Sequence, residues 1–206
     1  MKLYYIPGAC SLASHIILHE TGASVDIEKV DGATHKTETG ADFYQVHRKG
    51  YVPALQLDDG EVLTEGAAIL QYLADTSTRT ELSPAQGSIE RARLQSQLNF
   101  VSAELHKAFS PLFKKDSTED EKTAARKKVA LRLDDVEAVL SDGRAYFLGK
   151  DFSIADAYLF TVTNWTNPTG LGLGERQNLA AYMGRMAERP SVQAAMQAEG
   201  LIGKAA

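Results

Sequence analysis

The chain has 206 residues, enough for one large domain or two small ones, and its 44% hydrophobic content is ample for a packed core. A formal net charge of −5 excludes a general affinity for nucleic acid or an anionic membrane, because no basic surplus exists to neutralise phosphates. One cysteine forms no internal disulfide and no apolar stretch approaches the roughly 18 residues that span a bilayer, so a reduced, cytoplasmic setting is expected, with no targeting segment. In chain order, Lys2 to Ile6 reads as a strand, Pro7-Gly8 as a turn, and Ser11 to Glu20 as a helix closed by Gly22. Val25 to Val30 and Ala54 to Leu57 are further strands, and Asp58-Asp59-Gly60 makes a hairpin into Glu61-Val62-Leu63. A short helix is expected around Asp42 to Val46 and another from Glu65 to Ala74, giving the order βαβαββα. Strands separated by helices pair in parallel and the final hairpin is antiparallel, so a small α/β domain with a mixed sheet is predicted.

Thr76 to Gly87 is rich in Thr, Ser, Pro and Gly and reads as a linker, beyond which no convincing strand is found. Apolar residues at three- and four-residue spacing predict a long helix from Ile89 to about Leu112, kinked by Pro111. A second runs from about Thr118 to Leu140, where Arg126-Lys127-Lys128 is a solvated face. Ser153-Ile154-Ala155-Asp156 has the form of a capping box opening a buried helix with Tyr158, Leu159, Val162 and Trp165. Helices at Asn178 to Glu188 and Ser191 to Glu199 close the chain. The predicted division is therefore an α/β domain over residues 1–77 and an all-helical domain over residues 87–206.

Four places carry candidate chemistry, each with a plainer reading beside it. Cys10 falls where strand hands over to helix, and a helix N-terminus favours thiolate and binds anions; the alternative is a small, inert, buried cysteine. At Val52-Pro53 a cis bond would turn the Val52 N–H and C=O outward to pair with an extended peptide; the alternative is a trans proline starting an edge strand. At Leu63-Thr64-Glu65-Gly66-Ala67 a helix N-terminus beside a carboxylate suits a zwitterionic α-amino acid group; the alternative is helix capping by Glu65. On the long helix, Asn99, Ser102, His106 and Ser110 form a polar seam next to an apolar one, as in a helix lining a cleft, or a solvated face. His15 and His19 share an i, i+4 spacing without a third ligand in view, so no metal site is predicted.

Together these features resemble a beta-class glutathione transferase of bacteria over essentially the whole chain. The resemblance is carried by Lys2-Leu3-Tyr4-Tyr5, Pro7-Gly8-Ala9-Cys10-Ser11-Leu12, Val52-Pro53-Ala54-Leu55 and Leu63-Thr64-Glu65-Gly66. It continues through Leu98-Asn99, Glu104-Leu105-His106-Lys107, Pro111-Leu112-Phe113, Phe152 to Phe160, and Ala198-Glu199-Gly200-Leu201. It implies a thioredoxin-like N-terminal domain, a helical C-terminal domain and a homodimer. The implied activity is conjugation of glutathione, as co-substrate, to small hydrophobic electrophiles, with detoxification as the role.

By the same resemblance, glutathione lies along the first domain at Ala9, Cys10, Val52, Pro53, Glu65 and Gly66, with its sulfur near Cys10. His106 lies near the sulfur and Lys107 near the ligand, while Asn99 and Glu104 reach the site from the partner subunit. Cys10, Ser11 and His106 are the catalytic candidates, and Tyr5, Phe109, Phe113 and Trp165 those for the electrophile pocket, with interdomain core as the alternative for the aromatic residues. Two departures stand out. His35 replaces a lysine that pairs with the glycyl carboxylate, making that contact weaker or pH-dependent unless Lys36 substitutes. Val46-His47-Arg48-Lys49-Gly50 replaces an Asn-Pro-x-Gly turn, leaving the loop less constrained. Two other functions remain: monothiol disulfide exchange through Cys10 and glutathione, or a carrier with little turnover.

Overall fold

A computed structural model describes residues 1–203. The chain forms two compact units, one of Met1–Ser83 together with Arg189 and the residues after it, the other of Pro84–Glu188.

In the first unit, β1 (Lys2–Tyr5) is followed by α1 (Ser11–Thr21), β2 (Asp26–Lys29), a 3-10 turn at Phe43–Gln45, β3 (Ala54–Gln56), β4 (Val62–Thr64) and α2 (Gly66–Asp75). The sheet order is β2-β1-β3-β4, with β1 parallel to β2 and antiparallel to β3, and β3 antiparallel to β4. This is the expected thioredoxin-like mixed sheet. Alternation along β1 sends Tyr4 to one face, where it packs with Val30, Phe43 and Ala54 and where Ile6, Val46, Val52 and Val62 close the edge. Leu3 and Leu55, fully buried and paired in register, face the other way. Gly22, at φ 66, ends α1 in the left-handed conformation that glycine adopts without strain. Leu12, Ile16 and Ile17 on α1 are fully buried, as befits a helix packed by β1, α2 and the last helix of the chain.

That last helix, α8 (Pro190–Ala198), marks a difference from the expected division, which put residues 87–206 in one helical domain. It buries Val192 and Ala195 and packs on α1. Polar groups hold the same return. Glu20 of α1, buried, accepts hydrogen bonds from Arg79, Arg189 and Ser191. Burial alone would raise its pKa, but the bonds from Arg189 and Ser191 outweigh it and hold the carboxyl below its usual range.

The second unit is helical: α3 (Ile89–Asn99), a π-helical segment (Phe100–His106), α4 (Lys107–Phe113), α5 (Glu119–Leu140), α6 (Ile154–Asn164) and α7 (Gln177–Ala187). Ala125, Val129, Leu133, Val136 and Leu140 repeat at three and four residues, and these are the buried positions of α5. The expected long helix is present, but its break in regularity lies at Phe100–His106, ahead of Pro111, which sits inside α4. Trp165 falls just past the end of α6 instead of within it. The predicted capping box is formed: Ser153 donates to Asp156 Oδ2 from its N–H at 2.9 Å and its hydroxyl at 2.8 Å.

Candidate functional site

Cys10 is the N-cap of α1, with φ −60 and ψ −18, and its thiol is half-buried. The loop before it is set by backbone and buried polar groups. Ala9 N–H returns to Ile6 C=O at 3.0 Å, and Gly8 N–H donates to Glu199 Oε2 at 2.8 Å. Glu199 is itself buried and pairs with His15 Nδ1 at 3.0 Å. Ser11, one of the catalytic candidates, is fully buried, and its hydroxyl bonds both the N–H and the C=O of Ile6 at 3.3 Å. Its task in the structure is to hold the loop that carries Cys10. Tyr5, expected at the electrophile pocket, is also buried, its ring 5.8 Å from that of His15.

Val52-Pro53 is cis, and the Val52 carbonyl accepts a hydrogen bond from Cys10 Sγ at 3.2 Å. That bond needs the proton on sulfur, since a thiolate would be repelled by the same carbonyl. The geometry therefore poises Cys10 as a donor. It also turns the Val52 carbonyl toward the thiol, whereas the sequence reading aimed it outward.

Glu65 joins β4 to α2 at φ 70 and ψ 114, in a region that residues with a Cβ rarely adopt. Its carbonyl accepts from Ala68 and Ile69, so the N–H groups of Gly66 and Ala67 head the helix. Its side chain makes no capping bond and is exposed, 3.9 Å from the equally exposed Lys49 ammonium. Capping therefore does not account for this carboxylate.

His35, also at positive φ, has its ring 4.7 Å from that of Tyr44, with Nδ1 buried and without a hydrogen-bond partner. The loop that lost its proline is nonetheless closed: Gly50 N–H donates to His47 C=O at 2.8 Å, and Gly50 sits at φ 66. A Cβ there would come within 2.7 Å of Tyr44 and 2.9 Å of His35 Nδ1, so glycine is required twice over. Lys36 is exposed. Among the described residues no three His, Cys, Asp or Glu side chains gather as a metal set.

In the second unit, His106 ends the π-helical segment and Lys107 opens α4. His106 Nδ1 lies 3.0 Å from Tyr158 Oη, and its ring meets that of Trp165 edge-on at 4.8 Å. Trp165 in turn contacts Phe109 at 5.6 Å and Phe113 at 5.4 Å. Phe109 is buried whereas Phe113 is 51% exposed, so this aromatic cluster presents one face outward. Asn99 is exposed, Lys107 likewise, and Glu104 lies 3.6 Å from Arg132.

Burial, reinforced by the Lys107 charge, pushes the His106 pKa from 6.5 down to about 4. The imidazole is neutral at physiological pH. Because its folded value lies below its unfolded one, its contribution to stability is full above about pH 6.5 and is lost as pH falls through about 4. The expected NMR titration of His106 shows no protonation between pH 8 and about pH 5. A midpoint near 6.5 would contradict this.

Sequence reasoning missed Tyr158 as a neighbour of His106, and His15 with Glu199 as the support behind the Cys10 loop. All three were legible only as members of a buried helix, a histidine pair and a helix end.

Comparison with known proteins identifies the family. Residues 8–76 match the family Glutathione S-transferase, N-terminal domain, and residues 100–190 match Glutathione S-transferase, C-terminal domain. Glutathione S-transferase GstA of Escherichia coli O157:H7 is 48% identical over 201 residues, covering 98% of this chain and 100% of that one. The structure of a bacterial beta-class glutathione S-transferase of Sphingomonas chungbukensis superposes with a TM-score of 0.94 at 50% identity, covering 98% of this chain and 100% of that one. A sphingomonad glutathione S-transferase complexed with glutathione gives 0.93 at 48% identity, with the same coverage. With both family domains matched and relatives of this identity spanning nearly all of it, the chain belongs to the glutathione S-transferase family.

Proposed function

We propose that the protein conjugates glutathione to small hydrophobic electrophiles. The reading rests on one observation above the rest: the exposed Glu65 carboxylate, held at positive φ with no capping role, beside the N–H groups of Gly66 and Ala67. A γ-glutamyl end carries both an ammonium and a carboxylate, and this corner offers a partner to each. The cysteinyl backbone of glutathione pairs with Val52 beside Pro53, the Ala9–Cys10 turn receives the sulfur, and His35 or Lys36 meets the glycyl carboxylate. That a sphingomonad relative of 48% identity is described in complex with glutathione supports the same ligand.

In this reading the glutathione thiol loses its proton to water and the thiolate attacks the electrophile; a carbon–sulfur bond forms as the leaving group departs. Cys10 S–H, leaving the Val52 carbonyl to the cysteinyl N–H of glutathione, donates to the developing thiolate; by the sequence resemblance His106 does so too, and Lys107 contributes its charge. Ser11 acts by positioning. Phe109, Phe113 and Trp165 hold the electrophile's apolar body, for which the half-exposed Phe113 is the entry. We take the protein to be a cytoplasmic homodimer acting in detoxification, with Asn99 and Glu104 of the partner subunit completing the site; the sequence resemblance and the single cysteine support this.

Cys10→Ala and Cys10→Ser test the thiol's place. Losing one donor to sulfur is worth about 1 kcal/mol, so conjugation of an aromatic halide is expected to fall less than about tenfold in Cys10→Ala, and less again in Cys10→Ser, which keeps an O–H donor. Reduction of a glutathione mixed disulfide is expected to be minor in the wild type and absent from both. If wild-type disulfide reduction dominates and conjugation is negligible, thiol exchange is the function. Tight glutathione binding without either turnover would make the protein a carrier.

A further inference from the structure

His106 is held from two sides by one helix. Tyr158 lies on α6 and Trp165 just beyond its end, seven residues on, which is two turns and therefore the same face. Tyr158 places its Oη 3.0 Å from Nδ1, while Trp165 packs edge-on at 4.8 Å. Tyr158 is 3% exposed, and α6 is itself fixed at its start by Asp156.

We propose that Tyr158 is a positioning residue for glutathione transfer: its O–H donates to His106 Nδ1, which fixes the Nε2–H tautomer and makes the imidazole a donor at its other nitrogen. This rests on the reading that His106 serves the glutathione sulfur. The direction of the bond follows from acidity and basicity. A phenol, ionising near pH 10, is a stronger donor than a neutral imidazole N–H, and an imidazole nitrogen is a stronger acceptor than a phenol oxygen. A neutral imidazole has one N–H, so occupying Nδ1 as an acceptor puts the proton on Nε2. The opposite tautomer would present a lone pair to an anionic sulfur and repel it. The perpendicular arrangement of the His106 and Tyr158 rings, at 89°, suits an in-plane approach of the phenol to the nitrogen lone pair.

The test is long-range proton–nitrogen correlation NMR on full-length protein labelled with 15N-histidine, the His106 signals being identified among the five histidines with His106→Gln. The expected wild-type spectrum is that of the Nε2–H tautomer. In Tyr158→Phe both tautomers are expected, with kcat for conjugation down about tenfold and KM for glutathione within twofold. An Nδ1–H tautomer in the wild type, or an unchanged tautomer in Tyr158→Phe, overturns the proposal. The wild-type spectrum decides even if the variant does not fold. If His106→Gln conjugates as well as wild type, the role of His106 has failed; if His106→Gln is impaired and Tyr158→Phe is not, the role of Tyr158 has failed.

Discussion

Asp156→Asn is expected to lower the stability of the second unit by about 2–4 kcal/mol, the cost of leaving one buried N–H without an acceptor, about 1–3 kcal/mol, together with one hydroxyl bond at about 1 kcal/mol. The side chain is fully buried and accepts four bonds, two at each oxygen. Phe147 N–H, at 2.7 Å, and Tyr182 O–H, at 3.1 Å, converge on Oδ1; both Ser153 groups converge on Oδ2. An amide accepts only at its oxygen, so whichever way the substituted side chain turns, its NH2 confronts a backbone N–H in a fully buried site, and the hydroxyl beside it must turn round to accept. At about 2–4 °C per kcal/mol for a chain of this size, the melting temperature should fall by about 10 °C. Ser153→Ala, which keeps the Ser153 N–H bond, should cost only about 1 kcal/mol. Thermal unfolding followed by circular dichroism measures both, and a loss below about 1 kcal/mol in Asp156→Asn would refute the argument.

Glu65→Gly is expected to move stability and ligand binding in opposite directions. Glycine adopts φ 70 freely, whereas glutamate there is strained by about 1 kcal/mol or more, and the Glu65 side chain returns only an exposed ion pair with Lys49. The variant should therefore be at least as stable as wild type. It lacks the carboxylate proposed to meet the γ-glutamyl ammonium; such a charge-assisted bond is worth about 1.5–3 kcal/mol, so KM for glutathione should rise about 10- to 100-fold. Calorimetry of unfolding and initial rates against glutathione concentration separate the two. A less stable protein with unchanged KM would show that the carboxylate is there for the fold.

The elements whose faces are buried against one neighbour were legible from periodicity alone. The α5 helix shows its apolar positions at regular spacing. The capping box at Ser153 was equally plain, because its two members are three residues apart and make their bonds locally. The π-helical turn was not, since an i to i+5 pattern leaves no mark in residue type and Pro111 drew the expected break away from it. The return of α8 to α1 escaped for a different reason. Val192 and Ala195 announce a buried face but not which surface buries it. In the site, Cys10 and Glu65 were found because each sits at a helix start, a local feature. Tyr158 was hidden, since its relation to His106 joins positions 52 residues apart.

The order in which the ribosome releases the chain gives the returning helix another meaning. The sheet and its first two helices emerge early, yet Arg189, Ser191 and Glu199, the partners of Glu20, Gly8 and His15, are made last. Throughout synthesis of the helical unit, Glu20 of α1 has Arg79 but neither Arg189 nor Ser191, and the thiol-bearing loop is without its Glu199 anchor. The Cys10 corner therefore acquires its final support only near the end of translation, and a fragment ending at Ser83 would carry the thiol without that support.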